Sequence, residues 1–186
     1  MKNKKSIAII AIVAIVIIGC IISYNGLVSK SENVESKLSD LDITLQRRAD
    51  LIPNLVNTVK GYTNHENEVI EKVTTARTKL VNASTIEEKA TANDELSSSL
   101  KSLSVIVENY PDLKSSQNFI QLSDELAGTE NRIAVARRDY NKAVKEYNLK
   151  IKKFPSSIFA GMFGFEKTEY FEADESSKEV PSVNFE

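Results

Sequence analysis

The chain has 186 residues, with 24 basic and 26 acidic side chains, one histidine, one cysteine, six glycines and four prolines. A single cysteine excludes an intrachain disulfide, and a single histidine excludes the commonest zinc ligand sets. Residues 24–165 carry 19 bases and 19 acids, whereas residues 166–186 carry seven acids and two lysines; phosphate binding needs a net basic face, so nucleic acid is not an expected partner.

Residues 1–23 read as a short basic N-terminus and a membrane span. Ile7 to Ile22 are 16 consecutive residues without a charged or strongly polar side chain, about 24 Å of helix at ~1.5 Å per residue. Ser6, Ser23 and interfacial Tyr24 extend the run towards the ~30 Å of a hydrocarbon core. Lys2, Lys4 and Lys5 precede it, and the next basic residue is Lys30. The positive-inside rule then puts the N-terminus in the cytoplasm and the rest of the chain outside. A rival anchor is present in the same segment: Ile17-Ile18-Gly19-Cys20 resembles the lipobox of bacterial lipoproteins, in which the cysteine is lipidated. Ile21 and Ile22 continue the apolar run beyond Cys20, which favours the uncleaved span. Either anchor leaves the domain on the same side.

Residues 24–165 read as helices. Leu27, Val34, Leu38, Leu41, Leu45 and Ile52 fall at steps of three and four, and the stripe continues through Leu55, Val59, Tyr62, Val69, Val73, Ala76 and Leu80. Pro53 interrupts it, marking either a kink or the first turn of a new helix. Leu96, Leu100, Leu103, Val107 and Tyr110 form the next stripe, ended by Pro111. The last runs from Phe119 through Leu126, Thr129, Ile133, Tyr140 and Tyr147 to Phe154, the seam of a left-handed bundle. Short connections at Ala83–Thr85 and Pro111–Lys114 imply antiparallel neighbours. The predicted fold is all-α: an N-terminal transmembrane helix followed by an up-and-down, antiparallel four-helix bundle.

After Pro155 come Ile158, Phe159, Met162, Phe163 and Phe165, interleaved with Gly161 and Gly164. This apolar piece reads as a cap on an open bundle end; the alternative is a surface that touches a partner or the membrane. Residues 166–186 form an acidic tail, expected to be disordered.

Some polar residues do not fit a simple core. Arg48 and Glu66 occupy stripe positions, and Glu130, Asn131 and Arg137 lie beside the last seam; a charge on a core face is costly unless paired. If the bundle brings them together, they form either a register-fixing network or the lining of a ligand pocket.

Several segments carry a family resemblance. Tyr24-Asn25-Gly26-Leu27-Val28, Gln46-Arg47-Arg48-Ala49-Asp50-Leu51-Ile52-Pro53-Asn54-Leu55-Val56 and Glu108-Asn109-Tyr110-Pro111-Asp112-Leu113-Lys114 occur in order. Thr129-Glu130-Asn131-Arg132-Ile133-Ala134-Val135-Ala136-Arg137-Arg138-Asp139-Tyr140-Asn141 and Phe163-Gly164-Phe165 follow. Together they resemble the LemA family, which implies a bacterial protein with a membrane span and a helical bundle, and without an established catalytic activity or cofactor.

The residues themselves give catalysis little support. His65-Glu66 is not followed by a second histidine, so the zinc-protease pattern is incomplete, and a di-iron bundle needs two histidines. No Gly-x-Ser-x-Gly turn or glycine-rich phosphate loop is present. The expected function is a non-catalytic binding or scaffolding module tethered to the membrane, with other envelope proteins or a second copy as partners and no metal or cofactor. The alternative is a ligand-sensing bundle whose polar pocket is coupled to the span.

Overall fold

The computed structural model describes residues 2–63 and 65–172. Among them are six helices: α1 (Lys2–Lys60), α2 (Asn67–Asn82), α3 (Ile86–Val107), α4 (Pro111–Lys114), α5 (Gln117–Lys152) and α6 (Ser156–Phe163). No strand occurs among the described residues, so the all-helical expectation holds. The chain divides into two units, Met1–Ser39 with Asp139–Glu169, and Asp40–Arg138 with Tyr170–Glu186.

In the first unit α1 begins with the apolar run. Every described isoleucine from Ile7 to Ile22 is more than half exposed. A helix apolar on all sides and uncovered by protein is what lipid, not water, accommodates, and it is long and apolar enough to cross a membrane. Beyond it, Leu27 and Val34 are buried, as are Tyr140, Ala143, Val144 and Tyr147 of α5. The two helices run antiparallel: a Cβ on Gly26 would lie 3.3 Å from Lys150 Cε, and Lys30 Nζ donates to Glu146 at 2.6 Å. Residues 166–169 leave helical geometry but stay attached. Asn148 donates to the Thr168 carbonyl at 2.9 Å and accepts from its N–H at 3.0 Å, and Tyr140 Oη donates to the Glu169 carbonyl at 2.9 Å.

In the second unit the four longer helical segments, of α1, α2, α3 and α5, alternate in direction, with the short α4 between the last two. Asp42 meets Lys89 and Arg48 meets Asn93, so α1 and α3 run parallel, with α2 antiparallel between them in sequence. Leu41, Leu45, Ile52, Leu55 and Val59 of α1 are buried, with Val73 and Leu80 of α2, Leu96 and Leu103 of α3, and Ile133 of α5. The α2–α3 turn is fixed by a capping box: Glu88 N–H donates to Thr85 Oγ1, and the Glu88 carboxylate accepts from the Ser84 and Thr85 N–H groups. Those two backbone hydrogen bonds hold the Glu88 carboxyl below its ordinary value.

Pro53 lies inside α1, which continues to Lys60. A proline has no N–H for the carbonyl four residues back, here that of Ala49. Arg77 of α2 supplies the replacement, its Nε donating to the Ala49 carbonyl at 3.3 Å. The helix therefore crosses the proline with the freed acceptor satisfied.

The stripe does not stay in phase from α1 to α2, because one helix ends at Lys60 and the next begins at Asn67. Tyr62 is consequently exposed, and Ile70 is buried where Val69 had been expected. Phe154 is exposed for the same kind of reason: α5 stops at Lys152. Of the residues assigned to the acidic tail, Phe171 is fully buried; residues 173–186 lie outside the described residues.

Candidate functional site

Arg48 sits on the buried row of α1 between Leu45 and Ile52 and is only 3% exposed. Its long stem packs as an apolar residue would, which delivers a guanidinium into the interior. Two helices answer it. Nη1 donates to Asn93 Oδ1 of α3 at 2.7 Å, and Nη2 lies 2.6 Å from Glu130 Oε2 of α5. Burial lowers the Arg48 pKa from its ordinary value, while the negative charges of Glu130 and Asp94 act against that shift, and the group stays a cation. Its Nε has no hydrogen-bond partner among the described residues.

The partners differ in exposure. Asn93 is buried, whereas the Glu130 side chain is half exposed. Arg48 and Glu130 both line a cleft of about 310 Å³, together with the apolar Leu55, Leu100, Leu103, Phe119 and Leu126 and the polar Ser97, Lys101, Ser104 and Ser123. Apolar walls around a few convergent polar groups are the usual composition of a binding site. A larger hollow of about 580 Å³ is lined by Asp42, Arg47, Asp50 and Lys89 among others; its Asp42 and Lys89 pair at 2.8 Å, and none of these charges is buried as Arg48 is.

Of the polar residues singled out by sequence, Arg48 and Glu130 meet and the others do not join them. Glu66 instead accepts from Tyr110 Oη at 2.7 Å, a bond that raises the tyrosine pKa. Asn131 is exposed. Arg137 donates from Nε to the Phe171 carbonyl at 3.2 Å and stacks its guanidinium 5.4 Å from the Phe171 ring centroid. Cys20 is a free, half-buried thiol. On α6, Ser156 and Ala160 are buried, Phe159 is half-buried, and Ile158, Met162 and Phe163 are exposed; Phe165 beyond it is half-buried. The sequence reading missed Asn93. It lies one helical turn before buried Leu96 and shares the signal that marked Arg48, a polar residue on a core row.

The LemA family model matches residues 37–185. Magnetosome protein MamQ 2 of Paramagnetospirillum magneticum is 29% identical over 192 residues, covering 89% of this chain and 70% of its own. Protein LemA of Metamycoplasma hominis is 30% identical over 155 residues, covering 81% and 69%. Magnetosome protein MamQ of Magnetospirillum gryphiswaldense is 28% identical over 192 residues. None of these names denotes an enzyme.

Proposed function

The chain belongs to the LemA family, and we propose that it is a binding or scaffolding module held on the outer face of a bacterial cytoplasmic membrane, its partner seated in the Arg48–Glu130 cleft. Membrane association and a non-catalytic role are the coarse part of that reading and follow the family and its relatives. The orientation rests on Lys2, Lys4 and Lys5 before the apolar run. The partner class is another envelope protein or a second copy of the chain. One observation carries the reading: a buried cation lining a cleft of mixed apolar and polar walls, with a carboxylate partner that remains half in solvent. A helix from a partner could lay apolar side chains against Leu100, Leu103 and Phe119 while a polar group reaches Arg48.

The test is affinity purification of the tagged full-length chain from membranes, beside Arg48→Met and Phe119→Ser. Proteins recovered with the parent and depleted with both variants support the cleft. Unchanged recovery with both variants contradicts it.

A second reading is favoured by the unpartnered Arg48 Nε: a small anionic ligand bound in the cleft, with the span relaying the change. Such a ligand at a hundredfold excess over its dissociation constant would stabilise the protein by about 2.7 kcal/mol. A protein partner copurifying without any such ligand-dependent shift decides for the first reading.

A further inference from the structure

The first unit carries an apolar surface that its own helices leave uncovered. Phe154 is 81% exposed, Ile158 54%, Met162 70% and Phe163 45%, in a segment whose other face, Ser156 and Ala160, is buried. What lies beside this surface identifies its occupant. The Phe163 ring meets Tyr24 edge-on with centroids 5.0 Å apart, and the Phe165 ring does so at 5.9 Å. Tyr24 is the aromatic residue that closes the apolar run, the position where an amphipathic ring marks the membrane–water boundary. Helix α6 has eight residues and is about 12 Å long at ~1.5 Å per residue, so its side chains stay close to that boundary. Lysines lie near the same place, although exposed Glu166 and Glu169 follow α6. Lys150 reaches back against Gly26, two residues past Tyr24, and Lys152, which ends α5, and Lys153 just after it are exposed, as contact with anionic headgroups would need.

We propose that α6 is an interfacial helix that lays Ile158, Met162 and Phe163 into the lipid surface beside the anchor, giving the protein a second membrane contact. The apolar surface of the span, exposed at Ile21 and Ile22, then continues through Tyr24 onto α6 as one lipid-facing patch. Amphipathic helices seated in this way bury their apolar face ~5–10 Å into the boundary between headgroups and acyl chains. The inference rests on the membrane-anchor reading but not on its form, since an uncleaved span and a lipid on Cys20 both bring Tyr24 to the surface.

The chain has no tryptophan, so one introduced tryptophan is a unique reporter. Full-length Met162→Trp is reconstituted into vesicles of phosphatidylglycerol and phosphatidylcholine, with and without bromine on the phosphatidylcholine acyl chains. Val13→Trp reports the anchor and Val105→Trp, on exposed α3 surface, reports water. The expected result is blue-shifted emission from Met162→Trp and strong quenching by brominated lipid, close to that of Val13→Trp, with Val105→Trp unaffected. Quenching at Val13 without quenching at Met162 would overturn the lipid contact while leaving the anchor intact. A blue-shifted but unquenched Met162→Trp would overturn it in favour of a covering protein. An unquenched Val13→Trp would remove the anchor and the proposal together.

Discussion

Arg48 is a buried cation of the second unit, and its neighbours set what each substitution costs. Glu130→Ala leaves a buried cation with Asn93 as its remaining direct partner, and should destabilise the chain by about 1–2 kcal/mol, less than for a fully buried pair because water reaches the half-exposed carboxylate. Arg48→Met replaces the stem with one of similar shape and orphans only Asn93 Oδ1, costing about 1 kcal/mol. Adding Glu130→Ala to Arg48→Met should then cost almost nothing, and urea unfolding of the four chains in detergent measures the coupling; additive losses would contradict the pairing. Arg48 and Glu130 were legible in the sequence as charges on core rows. The same signal also marked Glu66 and Arg137, whose partners are Tyr110 and Phe171. A stripe gives the face on which a residue lies but not which element lies opposite, and that is why one expected cluster became three separate contacts.

At the scale of elements, periodicity located the helices wherever apolar residues recur without interruption, and failed where the chain breaks. The break between α1 and α2 resets the phase, so Ile70 replaces Val69 in the core. Pro53 stayed undecided because local rules allow both a kink and a new helix, and the group that resolves it, Arg77, belongs to the next helix. If Arg77 substitutes for the missing proline N–H, Arg77→Ala should cost about 1–2 kcal/mol in the parent chain. The loss should shrink in a Pro53→Ala background, where the Ala49 carbonyl has a backbone donor again. Equal losses in both backgrounds would show that the bond does not serve this purpose. The α2–α3 capping box gives a pH prediction. The folded-state pKa of Glu88 is depressed, so its contribution is complete above the ordinary carboxylate range and fades as pH falls through the folded value. Glu88→Gln should therefore be less stable than the parent at neutral pH, with the gap narrowing on acidification. A gap that persists or widens in acid would contradict this assignment.

At the scale of the whole molecule, the anchor was the most legible feature, because an uninterrupted apolar run needs no tertiary information to interpret. The packing of residues 166–171 was the least legible. One phenylalanine among acids gives no pattern, and the contacts that hold its backbone and ring, from Arg137, are foreseen by no local rule; nor are those of Tyr140 and Asn148 to residues 168 and 169. The functional reading joins the two scales: an anchor at one end of α1 and, further along the same helix, a buried arginine that lines a cleft. Site-specific photocrosslinking in cells tests it most directly, with the reactive side chain placed at Ser104 or Ser123 on the cleft and at exposed Thr78 of α2 as control. The cleft reading predicts a discrete adduct from Ser104 and Ser123, absent from Thr78 and lost with Arg48→Met. The same adducts from all three positions, or adducts indifferent to Arg48→Met, would contradict it.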